Sequence, residues 1–204
     1  MNGIKPGRSK VRVDVLLQDA FHNIARRAQA REIRLVLRVP AVMSPIYAEK
    51  ELLRIALDNL LENALRYSAP GGCIEVEADE TEHEILLSVR DDGVPIEADD
   101  QAHVFERFAR PAASGRRRPD GLGLGLYLAN EIIILHAGRI ALASTPESGN
   151  IFTVHLNKPA LALIGPAAIV LSSLANAATL VDRQIAKVTL SIGELGEVFH
   201  RAKF

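Results

Sequence analysis

Cysteine occurs once in the 204 residues, at Cys73. A disulfide framework within the chain and a cysteine-cluster metal site are therefore both excluded. Tryptophan is absent and aromatic residues make up 4% of the chain, too few for a base-stacking nucleic-acid platform. Neither sign of charge dominates: 24 basic residues against 25 acidic ones give a net charge of −1. No global field draws such a chain to nucleic acid. An export signal is also missing, because Lys5, Arg8, Lys10 and Arg12 are not followed by an apolar stretch of signal length. Residues 1–12 read as a basic, solvated tail, and a cytoplasmic location is expected. What remains is ordinary globular composition, 48% hydrophobic and 24% charged, in a chain long enough to bury about 70% of its unfolded surface.

Periodicity divides the chain. Leu16, Leu17, Phe21, Ile24 and Ala28 recur at helical spacing, predicting a helix over 16–30. Similar patterns predict helices over 51–67 and 124–136, the last stopped by Ala137 and Gly138. Alternating runs predict strands over 33–39, 73–78, 84–89, 139–143 and 151–156. Between them, 96–119 is polar and rich in breakers, a loop with a short helix expected over 104–108. The fold class is α+β: a two-layer α/β sandwich, its mixed, mostly antiparallel sheet covered on one face by helices.

The segment 159–204 is a different kind of chain, expected as a helical C-terminal extension of unknown role. Residues 159–181 carry no charge, long enough for a transmembrane candidate. Yet the stripe Leu171, Leu174, Ala178, Val181, Ile185, Val188, Ile192, Leu195 and Phe199 runs straight through Asp182 and Arg183. That continuation favours a helix packed on a partner or on a second copy of the chain.

Three short segments carry chemistry. On a helical wheel, Leu53, Leu57, Leu60, Leu61, Ala64 and Leu65 fall within an arc of about 140°, with Asn59, Asn63 and Arg66 on the opposite stripe and Tyr67 at its boundary. Amides and a guanidinium on one stripe suit a hard cation and an anion together, although a solvated polar face has the same pattern. Asp91 and Gly93 follow a strand, either as an ordinary turn or as a carboxylate placed to accept from an exocyclic amine. Gly121, Gly123 and Gly125, interleaved with Leu122 and Leu124, open the third helix, where free N–H groups suit phosphate. The spacing is neither a P-loop nor a dinucleotide fingerprint.

Order and spacing together make the set specific. With the Phe105-Glu-Arg-Phe108 loop, residues 13–158 resemble the ATP-binding catalytic domain of bacterial sensor histidine kinases, on the Bergerat fold shared with gyrase, Hsp90 and MutL. The resemblance implies ATP and Mg2+ as cofactors, with Asn63 as the metal ligand. It implies nucleotide contacts from Asn59, Arg66, Tyr67, Asp91, Gly93, Ile96, Arg107, Gly121, Leu122, Gly123, Leu124 and Gly125, with Thr153 lining the adenine pocket. It implies a mobile lid over 97–120.

The implied activity is transfer of the γ-phosphoryl group to a histidine on another domain or chain, within a two-component phosphorelay. No catalytic residue is assigned. Asn59 stands where the gyrase and Hsp90 branch has a glutamate, and an amide is no base; Glu62 lies about 60° off the stripe as a weaker base candidate. Two departures stand out. Pro95 replaces the second glycine of the Asp-x-Gly-x-Gly pattern, and none of the six histidines sits in a phosphoacceptor helix pair. Implied partners are such a histidine domain and a downstream response regulator, but no nucleic acid. Membrane contact is expected only through 159–181, and homodimerisation through the C-terminal helix. The chain would then be cytoplasmic, or the cytoplasmic part of a membrane-bound kinase. An anti-sigma-factor-type serine kinase and a non-catalytic nucleotide-binding partner module are the alternatives.

Overall fold

Residues 7–109 and 122–158 are described by the computed structural model. Their elements, in chain order, are β1 (Ser9–Val11), α1 (Val13–Ala30), β2 (Arg34–Arg38), β3 (Ile46–Ala48), α2 (Lys50–Tyr67), β4 (Cys73–Glu80), β5 (Glu84–Asp91), α3 (Ala98–Gln101), α4 (Gly125–Leu135), β6 (Arg139–Thr145) and β7 (Gly149–Asn157). Alternation builds the main sheet: Ile74, Val76 and Ala78 on β4, Ile85, Leu87 and Val89 on β5, and Phe152, Val154 and Leu156 on β7 are all buried. The strand order is β2-β4-β5-β7-β6. Only β2 and β4 run parallel, and the other neighbours are antiparallel. The apolar faces of α1, α2 and α4 join these inward residues in one core, the expected two-layer α+β sandwich.

Helix α2 is placed by its wheel. Leu53, Leu57, Leu60, Leu61, Ala64 and Leu65 are all at most 5% exposed, so its polar stripe is turned away from the core. Its two ends are held by neighbours. Arg31, just past α1, donates to the carbonyl oxygens of Leu65 and, at 2.9 Å, Ser68, binding the C-terminal end. At the other end the N–H of Glu49 donates to His136 Nε2 at 3.0 Å, while His136 Nδ1–H donates to the Ile132 carbonyl. Burial holds the His136 pKa below its ordinary value, which keeps that acceptor nitrogen free of a proton.

Two local expectations differ from the structure. Ser9–Val11 is not tail but a strand, antiparallel to β3 with Val11 opposite Ile46 and both side chains buried. The short helix of the loop is α3, at Ala98–Gln101, whereas 104–108 forms turns. Phe108 has φ +64° and donates its N–H to the Gly123 carbonyl, a geometry no helix interior accepts. Helix α4 stops at Ala137 and Gly138 as expected, and it is Ala137 that takes the left-handed conformation, with φ +56°. Gly138 is needed for another reason: a Cβ there would stand 2.3 Å from the His155 carbonyl oxygen of β7. The helix expected within 159–204 lies outside the described residues.

Candidate functional site

The site lies where the polar stripe of α2, the end of β5 and the start of α4 meet. Asn59 and Asn63 are half-buried on α2. Asn59 Nδ2 donates to the Ile55 carbonyl at 2.8 Å, which turns Oδ1 outward toward α4. A Cβ at Gly125 would stand 2.9 Å from that Oδ1. The first residue of α4 thus packs directly against the Asn59 amide, and two motifs distant in the chain become neighbours. Leu124, the N-cap residue of α4, gives no side-chain cap, leaving the first-turn N–H groups available to an anion. Gly123 has φ +68°; Leu122 is 75% exposed, and Gly121 lies outside the described residues.

Asp91 is the most unusual group. It is 0% exposed at the end of β5. Its Oδ1 accepts the Gly93 N–H at 2.9 Å and Asn150 Nδ2 at 2.8 Å. Its Oδ2 is equally buried and has no hydrogen-bond partner. Burial raises its pKa to about 6, with Asn150 and the Gly93 N–H pulling down and the neighbouring Asp92 charge pushing up. An acceptor orphaned in the interior costs roughly 1–3 kcal/mol, so a donor arriving from outside is strongly favoured. Gly93 completes the turn: a Cβ there would be 2.6 Å from Asp91 Oδ1 and 2.9 Å from the Tyr67 carbonyl oxygen. That contact brings the end of α2 to the same pocket, with Tyr67 37% exposed at its edge. Ile96, partly buried against the core, donates its N–H to Ser144 Oγ at 2.8 Å.

Other expected residues are placed differently. Thr153 does not face Asp91. Alternation along β7 puts Asn150, Phe152 and Val154 on the core side, while Thr153 bonds Ser88 at 3.2 Å on the other face. Asn150 takes the place beside the carboxylate. No short motif marks it; only the cross-strand register Asp91 to Asn150 does. Glu62 pairs with Arg27 of α1 and so is turned from the pocket. Arg66 is exposed and lines an α1–α2 cleft of about 400 Å³ with Arg27, Arg31 and Glu62. Arg107 lies against Tyr127 of α4, donating to its hydroxyl at 2.8 Å with the guanidinium carbon 4.8 Å from the ring centroid. Among the described residues no cluster of three His, Cys, Asp or Glu could hold a metal, so a cation here would rely on amide oxygen and on the oxygens of its ligand.

An amide stripe, a sealed carboxylate with one free oxygen and an uncapped helix start thus lie together on a two-layer sandwich. The chain belongs to the histidine kinase-, DNA gyrase B- and HSP90-like ATPase family, whose description matches residues 48–160. It is 37% identical over 137 residues to the alginate biosynthesis sensor protein KinB of Pseudomonas aeruginosa, covering 67% of this chain and 22% of KinB. It is likewise 37% identical over 146 residues to the sensor protein DivL of Caulobacter vibrioides, covering 72% of this chain and 18% of DivL. The chain thus spans about a fifth of the length of these relatives. Among solved structures, the mycobacterial sensor histidine kinase MprB superposes with TM-score 0.63 at 23% identity, over 75% of this chain and 99% of that one. Full-length ShkA in complex with AMPPNP superposes with TM-score 0.65 at 23% identity, over 75% and 31%. At these identities the structural likeness establishes the fold.

Proposed function

We propose that residues 13–158 are the catalytic ATP-binding domain of a two-component sensor kinase, donating the γ-phosphoryl group of ATP to a histidine on another domain or chain. The observation that carries the reading is Asp91 Oδ2, buried and unpartnered at the end of β5. An exocyclic amine of adenine satisfies it, whereas a ring carbonyl at that place would repel it. Asn59, Asn63, Arg66, Tyr67, Gly93, Ile96, Arg107 and the glycines 121, 123 and 125 are the proposed nucleotide contacts. Asn63 would hold Mg2+, which supplies charge neutralisation between the phosphates. The N–H groups opening α4 would face the phosphate oxygens, and the Arg107 guanidinium, held on the Tyr127 hydroxyl of that helix, would add charge there.

No base is required of this chain. The attacking imidazole nitrogen would form the new N–P bond with its lone pair as the bond from the terminal phosphorus to the bridging oxygen breaks, ADP would leave with that electron pair, and the proton on the other ring nitrogen would pass to solvent or to the domain that carries the histidine. An amide at position 59 is consistent with that division of labour, since it orients without accepting a proton. Partners would be a dimerising histidine domain and a response regulator, and the location would be cytoplasmic or the cytoplasmic side of a membrane-bound kinase. No described helix is long and apolar enough to cross a membrane.

The test is calorimetry of the full chain with ATP, with and without Mg2+, beside Asn63→Ala. The wild type should bind Mg-ATP. The variant should lose affinity by at least about 100-fold with a melting temperature nearly unchanged, because a half-exposed polar substitution costs within about 0.5 kcal/mol. Equal affinity in the two proteins would overturn the metal assignment. Binding without phosphoryl transfer to any supplied histidine domain would leave a nucleotide-binding partner module instead.

A further inference from the structure

The free oxygen of Asp91 belongs to the proposed nucleotide pocket, but its other oxygen begins a chain of contacts that the pocket does not use. Asn150 Nδ2, donating to Asp91 Oδ1, also lies 3.2 Å from the Val94 carbonyl oxygen. Asn150 Oδ1 accepts the Ser144 hydroxyl at 2.7 Å. Ser144 Oγ in turn accepts the Ile96 N–H at 2.8 Å. Gln101, the last residue of α3, closes the set by donating from Nε2 to the carbonyl oxygens of Ile96 at 2.8 Å and Ser144 at 3.2 Å. Pro95 stands between the two pinned residues, with its φ fixed by the ring. The amide is 3% exposed, and its donor and acceptor ends are both occupied, so its orientation is determined: reversing it would set its oxygen against the Asp91 carboxylate and the Val94 carbonyl.

We propose that Asn150 and Ser144 form a positioning relay that fixes the Asp91 carboxylate and clamps the segment from Val94 to Gln101 onto the edge of the sheet. The base pocket and the root of the following loop are then one rigid unit. Pro95 is a stiffener of the clamp. Two consequences separate this from a merely structural role. Loss of the relay should alter which carboxylate oxygen is free, and hence discrimination between a 6-amino and a 6-oxo purine. It should also move the pH dependence of binding upward, because one hydrogen bond holding Asp91 ionised is lost while the facing Asp92 charge remains.

The proposal rests on Asp91 reading the base, so the experiment begins with Asp91→Asn in the full chain, measured by calorimetry with ATP and with ITP between pH 5.5 and 8. If Asp91→Asn leaves ATP affinity and the preference for ATP over ITP unchanged, the base-reading role itself fails. If it abolishes them, Asn150→Leu and Ser144→Ala test the relay. The expected result is about tenfold weaker ATP binding at pH 7, a reduced preference for ATP over ITP, and loss of binding setting in at higher pH than in the wild type. Ser144→Ala removes only a half-buried hydroxyl and keeps the test open should Asn150→Leu fail to fold. Wild-type affinity, preference and pH profile in Ser144→Ala, together with the same or an unfolded Asn150→Leu, would overturn the proposal.

Discussion

At the scale of single residues, Asp91 shows a conflict between stability and binding. A carboxyl with a folded pKa of about 6 against an unfolded value near 3.9 holds a proton in the native state where the unfolded chain has lost it. Its contribution to stability is therefore largest below pH 4 and falls as pH rises through 6. The cost of keeping it ionised at pH 7 is on the order of 3 kcal/mol. Asp91→Asn, which removes that charge at nearly constant shape, is expected to raise the melting temperature of the ligand-free protein at pH 7 and to have a much smaller effect at pH 4.5, where about a third of the difference remains. In the same variant adenine-nucleotide binding should weaken. Calorimetric melting at the two pH values checks the sign: a lower melting temperature at pH 7 would show that the carboxylate is satisfied in solution.

At the scale of elements, the ends of the helices decide what touches what. The C-terminal end of α4 combines a strained alanine with a glycine required for packing. Ala137 at φ +56° sustains a left-handed penalty of roughly 1–2 kcal/mol that glycine would not. Ala137→Gly is expected to raise stability by about 1 kcal/mol, after the entropy of the added glycine is subtracted. Gly138→Ala should do the opposite, by about 1–3 kcal/mol, because its Cβ would meet the His155 backbone oxygen at 2.3 Å. Urea denaturation of both variants separates the two effects. Sequence reasoning alone would exchange them, since a glycine after a helix is the usual bearer of positive φ.

At the scale of the whole domain, the small β1–β3 sheet extends the core beyond the main one. Val11, Ile46 and Ala48 are at most 3% exposed, and Arg8 donates to the Leu135 carbonyl at 2.7 Å. Removing residues 1–12 is expected to cost at least about 2 kcal/mol, the burial of one valine together with the lost strand pairing, and to lower the melting temperature by several degrees. A solvated tail would leave melting unchanged. The same deletion should leave ATP affinity per folded molecule intact, because neither sheet strand nor its cover touches the Asp91 pocket.

Local physical chemistry determined much of this protein from its sequence. The wheel of α2 sorted Leu53 through Leu65 from Asn59 and Asn63, and two-residue alternation found the strands of the main sheet. Asp91, Gly93 and Gly125 each have an ordinary turn or helix-start reading, and they could be singled out only because their order along the chain, with the α2 stripe and the Phe105–Phe108 loop, resembles that of the kinase family. What the tertiary structure alone decided depends on groups brought together from distant positions. Asn150 beside Asp91 follows from strand register, and Thr153, three residues on, faces away because side chains alternate. Glu62 is paired with Arg27 across a helix pair, and Gly125 lies against the Asn59 amide. Even β1, too short to show a period, becomes a strand only because β3 offers it a partner: three residues specify little alone, and pairing and burial supply the free energy that propensity cannot.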